Sequence, residues 1–360
     1  MSAESFASLS EQVAGRIILR VQDGTWTDRI PGCKTLAHEF GVNHKTCESA
    51  LKLLEARGVL VSLGRGRTRK VAASFNAKPK KLRVMLLLYE KKDANDPIVV
   101  EVLYRLRDSG HDAIYAERTL LGLQMDVKRV SGYVEKTKAD AWIVLAGSAE
   151  ILEWFAQSPF PAFALFGRLD RNIPIACVGL SKLDAARELT ERLLSLGHRR
   201  IVFITSEQRR KPAPGLLERS FLQRLEDEGI ATGAYNLPDW GKRPGDLQQA
   251  MKSLCQVTPP TAVIADEPAL FLAIMQQLSR LGYNAPEQVS IACLDQDSVF
   301  DFTCPAITHL QWNPDSIIKR ITKWIQQTSS GRDDRHKNIV KAKLLVGDTI
   351  GPAPKGDLSS

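Results

Sequence analysis

From Leu82 onward the chain repeats one pattern, a short apolar run followed by an amphipathic stretch. The runs fall at residues 83–88, 113–116, 141–145, 162–166, 200–204, 262–265 and 289–294, with helical periodicity near residues 98–108, 149–157, 183–196, 215–228, 246–255 and 268–281. Runs that are apolar throughout, rather than alternating, must be buried on both faces. Strands of that kind separated by helices are accommodated by a parallel, doubly wound sheet. The pattern occurs twice in tandem, so two α/β lobes are expected. Open sheets of this type bind ligands beyond the C-terminal ends of their strands. That rule directs attention to Asp266, Asp295 and Trp312, each just past an apolar run.

Ahead of the lobes, residues 30–71 follow another logic. Asn43 is a suitable N-cap and Gly58 a suitable stop for a helix of about four turns between them. Cys47, Ala50, Leu51 and Leu54 make one apolar stripe at helical spacing, while His44, Lys45, Glu48 and Lys52 are expected on the opposite, wet face. A shorter helix and a turn at Gly41-Val42 precede it. Residues 59–61 and 68–71 read as strands joined by Gly64-Arg65-Gly66-Arg67, where glycine tolerates positive φ and Arg65 is carried outward. Further upstream, Leu9, Val13, Ile17 and Val21 recur every fourth residue, predicting an amphipathic first helix that ends near Gly24, with Trp26 closing the small core. The expected α+β head is a winged helix-turn-helix. Its reading helix has the width of the B-DNA major groove, where N-terminal residues reach base edges and phosphates.

Charge supports that expectation. Residues 1–81 hold 14 Lys and Arg against 7 Asp and Glu, a net +7 out of a formal +8 for all 360 residues. Basic charge confined to a helix-turn-helix pattern favours nucleic acid. The apolar runs are too short to span a bilayer, and a cytoplasmic protein is expected. The six cysteines are scattered, with neither a C-x-x-C pair nor metal-ligand spacing, and read as incidental thiols. No cofactor and no metal are expected. An enzyme on doubly wound sheets is a weaker alternative, since the sequence has no G-x-G-x-x-G after a strand, phosphate-binding G-x-x-x-x-G-K-[ST], nucleophile elbow or H-E-x-x-H.

Pro31, Leu36-Ala37, Phe40-Gly41-Val42, Thr46, Ala50-Leu51, Leu54-Glu55, Gly58-Val59-Leu60 and Gly64-x-Gly66 together resemble the winged head of the gluconate-repressor (GntR) family, over roughly residues 6–72. The sequence departs from that family at Gly32-Cys33-Lys34 and at Glu48. The resemblance implies DNA contacts at Lys34, His44, Lys45, Thr46, Glu48, Arg65, Gly66 and Arg67. Residues 184–204, 260–267 and 282–295 look like the effector domain of lactose-repressor (LacI) family regulators, itself similar to periplasmic sugar-binding proteins. This second resemblance implies two lobes joined by crossing strands, a sugar between them and a homodimer. It also places a ligand-binding aspartate at Asp295 and a stacking aromatic at Trp240. The family's ligand-gripping arginine falls at Leu217, so that clamp is missing or moved.

Each site residue has a plainer reading. Asp266-Glu267 before Pro268 suits a helix N-cap as well as a ligand contact. Trp240 and Trp312 could be core, tryptophan being mostly buried in any fold. His198, between a helix end and a strand, is read as a structural histidine rather than a catalytic one. The expected organisation is a head at 1–72, a lysine-rich linker at 73–81, a two-lobed effector and dimerisation domain at 82–350 and a tail at 351–360. The expected function is a transcriptional regulator, most simply a repressor, binding operator DNA and a mono- or disaccharide. A DNA-binding scaffold whose sensor has lost its ligand and recruits a protein stays open as an alternative, because of Leu217.

Overall fold

The computed structural model describes residues 8–64, 68–72, 80–167, 172–241, 243 and 245–354. The proposed contacts at Arg65, Gly66 and Arg67, most of the linker and the end of the tail lie outside them.

Helix α1 (Leu9–Gln22) opens with a reciprocal cap between Ser8 and Glu11. Val13, Ala14, Ile17 and Val21 are buried, but Leu9 is 54% exposed. The apolar stripe therefore begins one turn later than expected, since the capping turn lies outside the packed part of the helix. Helix α2 (Cys33–Glu39) ends at a tight turn in which Gly41 has φ +65° and the Val42 amide donates to the Ala37 carbonyl. Asn43 then caps α3 (His44–Ala56) by accepting from the Thr46 amide at 2.8 Å. Cys47, Ala50, Leu51 and Leu54 are all fully buried, as their spacing requires. Trp26 meets Phe40 edge-on, with ring centroids 6.5 Å apart, at the border of this core. Strands β1 (Leu60–Val61) and β2 (Lys70–Val71) pair antiparallel behind α3. A third segment joins them: Ile30 donates to the Arg69 carbonyl, and Val71 donates to that of Asp28.

The first lobe runs through β3 (Arg83–Leu87), α4 (Pro97–Asp108), β4 (Asp112–Tyr115), α5 (Val127–Lys136), β5 (Ala141–Leu145), α6 (Ala149–Gln157), β6 (Ala162–Leu165) and β7 (Ala176–Ser181). The second continues with α7 (Leu183–Ser195), β8 (Ile201–Ile204), α8 (Glu207–Arg210), α9 (Leu216–Asp227), α10 (Asp246–Val257), β9 (Ala262–Ala265), α11 (Pro268–Arg280), β10 (Ser290–Cys293) and β11 (Thr308–Gln311). Helix α12 (Pro314–Ser329) and strands β12 (Lys337–Lys341) and β13 (Lys343–Leu345) complete the chain. The strand orders are β12-β7-β6-β5-β3-β4 and β13-β11-β10-β9-β8. Within each sheet the pairs β3–β4, β3–β5, β5–β6, β8–β9, β9–β10 and β10–β11 are parallel, and β11–β13 is antiparallel.

Burial on both faces is visible residue by residue in the second lobe. Val202, Ile204, Val263 and Ile291 pack with Met251, Phe271 and Ile274 on one side. Ile201, Phe203, Ile264 and Ala292 pack with Leu189, Leu193, Phe221 and Leu225 on the other. Two compact units result, residues 1–177 with 318–337 and residues 178–317 with 338–360, so the chain passes between them three times.

The last strand, β13, is short. At Gly347 the backbone lies so near Ala306 that a Cβ would sit 2.3 Å from its carbonyl oxygen, and the chain leaves the ladder there. Helices α5 and α12 and strand β12 were not foreseen. In α12, Ile321, Trp324 and Ile325 are buried, and Trp324 meets Phe163 at 5.3 Å between centroids. Arg320 on the same helix grips Asp334 with both guanidinium nitrogens at 2.9 and 3.0 Å, and both side chains are more than nine-tenths buried.

Because removing one partner strands a buried charge, Asp334→Ala should cost about 3 kcal/mol in urea denaturation followed by tryptophan fluorescence. Asp333→Ala, which breaks only the exposed pair with Arg335, should cost under ~1 kcal/mol.

Candidate nucleic-acid interface and effector site

The head presents a basic outer surface. Lys34, His44, Lys45 and Lys52 are exposed along α2 and α3, and Thr46 is half-buried at the start of the reading helix. Their backbones are fixed by the turn at Gly41 and the Asn43 cap, and their charges face water rather than protein. Glu48 departs from the expected arrangement. Its carboxylate accepts from Arg69 at 2.8 Å, and the same guanidinium also binds Glu55. Glu48 and Glu55 lie two turns apart on one side of α3, and Arg69, next to β2, forks between them. The residue expected to read DNA thus fastens the strand pair to the reading helix. The pairing also holds Glu48 below the ordinary carboxylate range. Arg69 and the 28–30 segment were not anticipated.

In the second lobe, Asp266, Asp295 and Trp312 stand at the C-terminal edge of the sheet, as expected, and Thr205 joins them. Thr205 follows β8, Asp266 follows β9, Asp295 follows β10 and Trp312 follows β11. Two polar clusters occupy this edge. In one, Lys182 at the end of β7 donates to Asp295 Oδ2 at 2.6 Å, and its ammonium sits 5.0 Å from the Trp312 ring centroid. Asp295 Oδ1 accepts from the Gln296 amide at 2.8 Å, and the Gln296 side chain accepts from the Trp312 amide at 3.0 Å. Burial raises the Asp295 carboxyl above its ordinary value, and Lys182 opposes that shift.

In the other cluster, Thr205 Oγ1 donates to Asp266 Oδ2 at 2.9 Å and lies 3.5 Å from Glu218 Oε1. Arg209 meets Asp266 at 2.8 Å. Asp266 is 5% exposed and Glu218 1% exposed, and burial pushes the Glu218 carboxyl above the usual glutamate range. Asp266 is not an N-cap. Glu267 holds that position at α11.

Trp240 is half-buried, and its indole Nε1 donates to the Thr205 carbonyl at 3.0 Å. Its own carbonyl accepts from Arg210, which also binds Asp239. Leu217 lies beside Phe221 and Thr190, directly ahead of Glu218 in α9. His198 is fully buried, with Nε2 at 2.9 Å from the Gly351 carbonyl and 3.0 Å from Ser290 Oγ, a structural role. Lys182, Thr205, Arg209, Arg210, Glu218 and Gln296 were not singled out from sequence. Only Glu218 left a signal there, as a carboxylate in the apolar stripe it shares with Phe221 and Leu225.

Among the described residues no helix is long and apolar enough to cross a membrane. All six cysteines are free.

Residues 190–350 match the family described as the periplasmic binding protein-like domain. The chain is 25% identical over 179 residues to the HTH-type transcriptional regulator GalS of Salmonella typhimurium, covering 48% of this chain and 51% of that protein. It thus spans about half the length of that relative. It is 21% identical over 272 residues to the HTH-type transcriptional regulator DegA of Bacillus subtilis, covering 73% and 78%. Among solved structures, the Escherichia coli transcriptional repressor ascG superposes with a TM-score of 0.61 at 18% identity, over 74% of this chain and 98% of that one. At such identities the superposition establishes the fold. The two-lobed part of this chain therefore has the periplasmic-binding-protein-like fold, and residues 190–350 carry that domain's sequence signature.

Proposed function

We propose that this chain is a sequence-specific transcriptional regulator of the lactose-repressor type, most simply a repressor, whose operator binding responds to a small effector held at the lobes. The observation that carries the reading is the division of labour in the head. Apolar side chains of the helix-turn-helix are buried, while Lys34, His44, Lys45 and Lys52 stand out together on one surface. The curated relatives, both HTH-type transcriptional regulators, support the same reading.

A homodimer would set two heads on half-sites one helical turn apart, matching a roughly palindromic operator. The finer assignment of the head to the gluconate-repressor type rests on the strand pair behind α3 and the 28–30 segment that joins it. The effector, a small polyol or sugar in this reading, would be gripped by Asp295, Lys182, Asp266 and Trp312. It acts only through the difference in its affinity for the two operator-binding states, typically about 1–3 kcal/mol.

In fluorescence anisotropy with duplexes recovered by in vitro selection, Lys45→Ala should weaken binding and lower the slope of log affinity against log salt by about 0.9. An unchanged slope removes Lys45 from the interface. Glu48→Ala should act differently, lowering the melting temperature of the head by freeing Arg69 while leaving the preferred base sequence unaltered. Asp295→Ala should abolish the effector response at undiminished operator affinity. Loss of both activities together would mark a folding defect instead.

A further inference from the structure

We propose that the effector carries a protonated amine, received by Asp266 and Glu218 at the C-terminal edge of the second lobe's sheet. This rests on the effector reading above and narrows its chemistry.

Three observations converge. Asp266 is 95% buried and its Oδ2 is taken by Thr205 and Arg209, yet its Oδ1 is buried with no hydrogen-bond partner. An unsatisfied buried carboxylate oxygen is expensive unless a donor arrives. Glu218, 1% exposed, stands on the far side of the same Thr205 hydroxyl. It occupies a position in the apolar stripe of α9 where the fold needs only a hydrocarbon. Finally, the charges do not balance. Asp266 raises the cost of charge on both Glu218 and Asp295, and two cations answer the three carboxylates, Arg209 on Asp266 and Lys182 on Asp295. Arg210 and Lys211 are nearby but share Asp239. One positive charge is lacking.

Leu217 fits the same logic. A guanidinium there would fill the vacancy from within the protein, and it would suit a neutral or anionic ligand. A leucine beside a buried glutamate leaves the charge to the ligand. Without ligand, burial favours the protonated form of Glu218. An arriving ammonium group displaces that proton by donating N–H groups to Asp266 Oδ1 and the Glu218 carboxylate. Binding therefore releases a proton to the buffer and tightens as pH rises through the elevated Glu218 value.

The test is isothermal titration calorimetry of the full chain against glucosamine, galactosamine, mannosamine and putrescine, beside the N-acetylated hexosamines and the parent hexoses. At least one amine should bind about tenfold more tightly than its uncharged counterpart, the scale of one charge-assisted hydrogen bond. Its affinity should rise as pH rises from the ordinary glutamate range, with proton release seen as a heat that depends on the buffer's ionisation enthalpy. Glu218→Gln should remove the proton release and the preference for the amine. Asp266→Asn serves as the second variant, and melting curves on both establish folding. The proposal is overturned if no amine binds, if a neutral hexose binds as tightly as its amino form, or if a folded Glu218→Gln protein keeps the preference. A neutral sugar that binds in such a case leaves the effector reading intact, and operator anisotropy reports separately on DNA binding.

Discussion

Everything at the candidate effector site follows from the burial of strands β8 to β11 on both faces. A strand with helices on either side excludes unpaired charge along its length, and its backbone amides are consumed by the ladder. Asp266 and Asp295 therefore stand where their strands stop, beside Thr205 and Trp312. Parallel pairing brings those four end points to one edge. The apolar strands make the site a consequence of topology, with the helices behind them acting as walls.

The same physics shows what could be read in advance. Strands at 141–145 and 262–265 match their apolar runs, and the reading helix between Asn43 and Arg57 is marked by its cap, stripe and stop. Strand β7 was not legible because in Ala176–Ser181 small residues and a glycine interrupt the apolar run. Strand β12, partly exposed and bracketed by Lys337 and Lys341, looks like a surface loop. With β7 unread, Lys182 at its end was merely one surface lysine among many. Arg209 and Thr205 had no pattern, since their importance comes from neighbours sixty residues away in sequence. Helix α12 could have been found, because Ile317, Ile321, Trp324 and Ile325 repeat at helical spacing.

Glu48 shows where periodicity stops being informative. Angular position on α3 places it with Lys45 and Lys52, yet its partner is set by Arg69, beyond the helix and next to the strand pair. One guanidinium shared between Glu48 and Glu55 ties the β1–β2 strand pair to α3. The lysines at the front of α3 then present their charge from a braced element, so that under the proposed function less entropy would be lost on engaging a duplex.

The three passages of the chain between its two units affect how the protein is made. The segment 318–337 is synthesised after almost all of the second unit, but it supplies α12, whose Trp324 and Arg320 cover Phe163 in the first. A ribosome adding about 5–20 residues per second therefore exposes the first lobe with an apolar flank for many seconds before its lid emerges. Premature termination near Pro314 would leave both units unsealed rather than merely shortening one, and such products should be cleared by proteases rather than persist as independent domains.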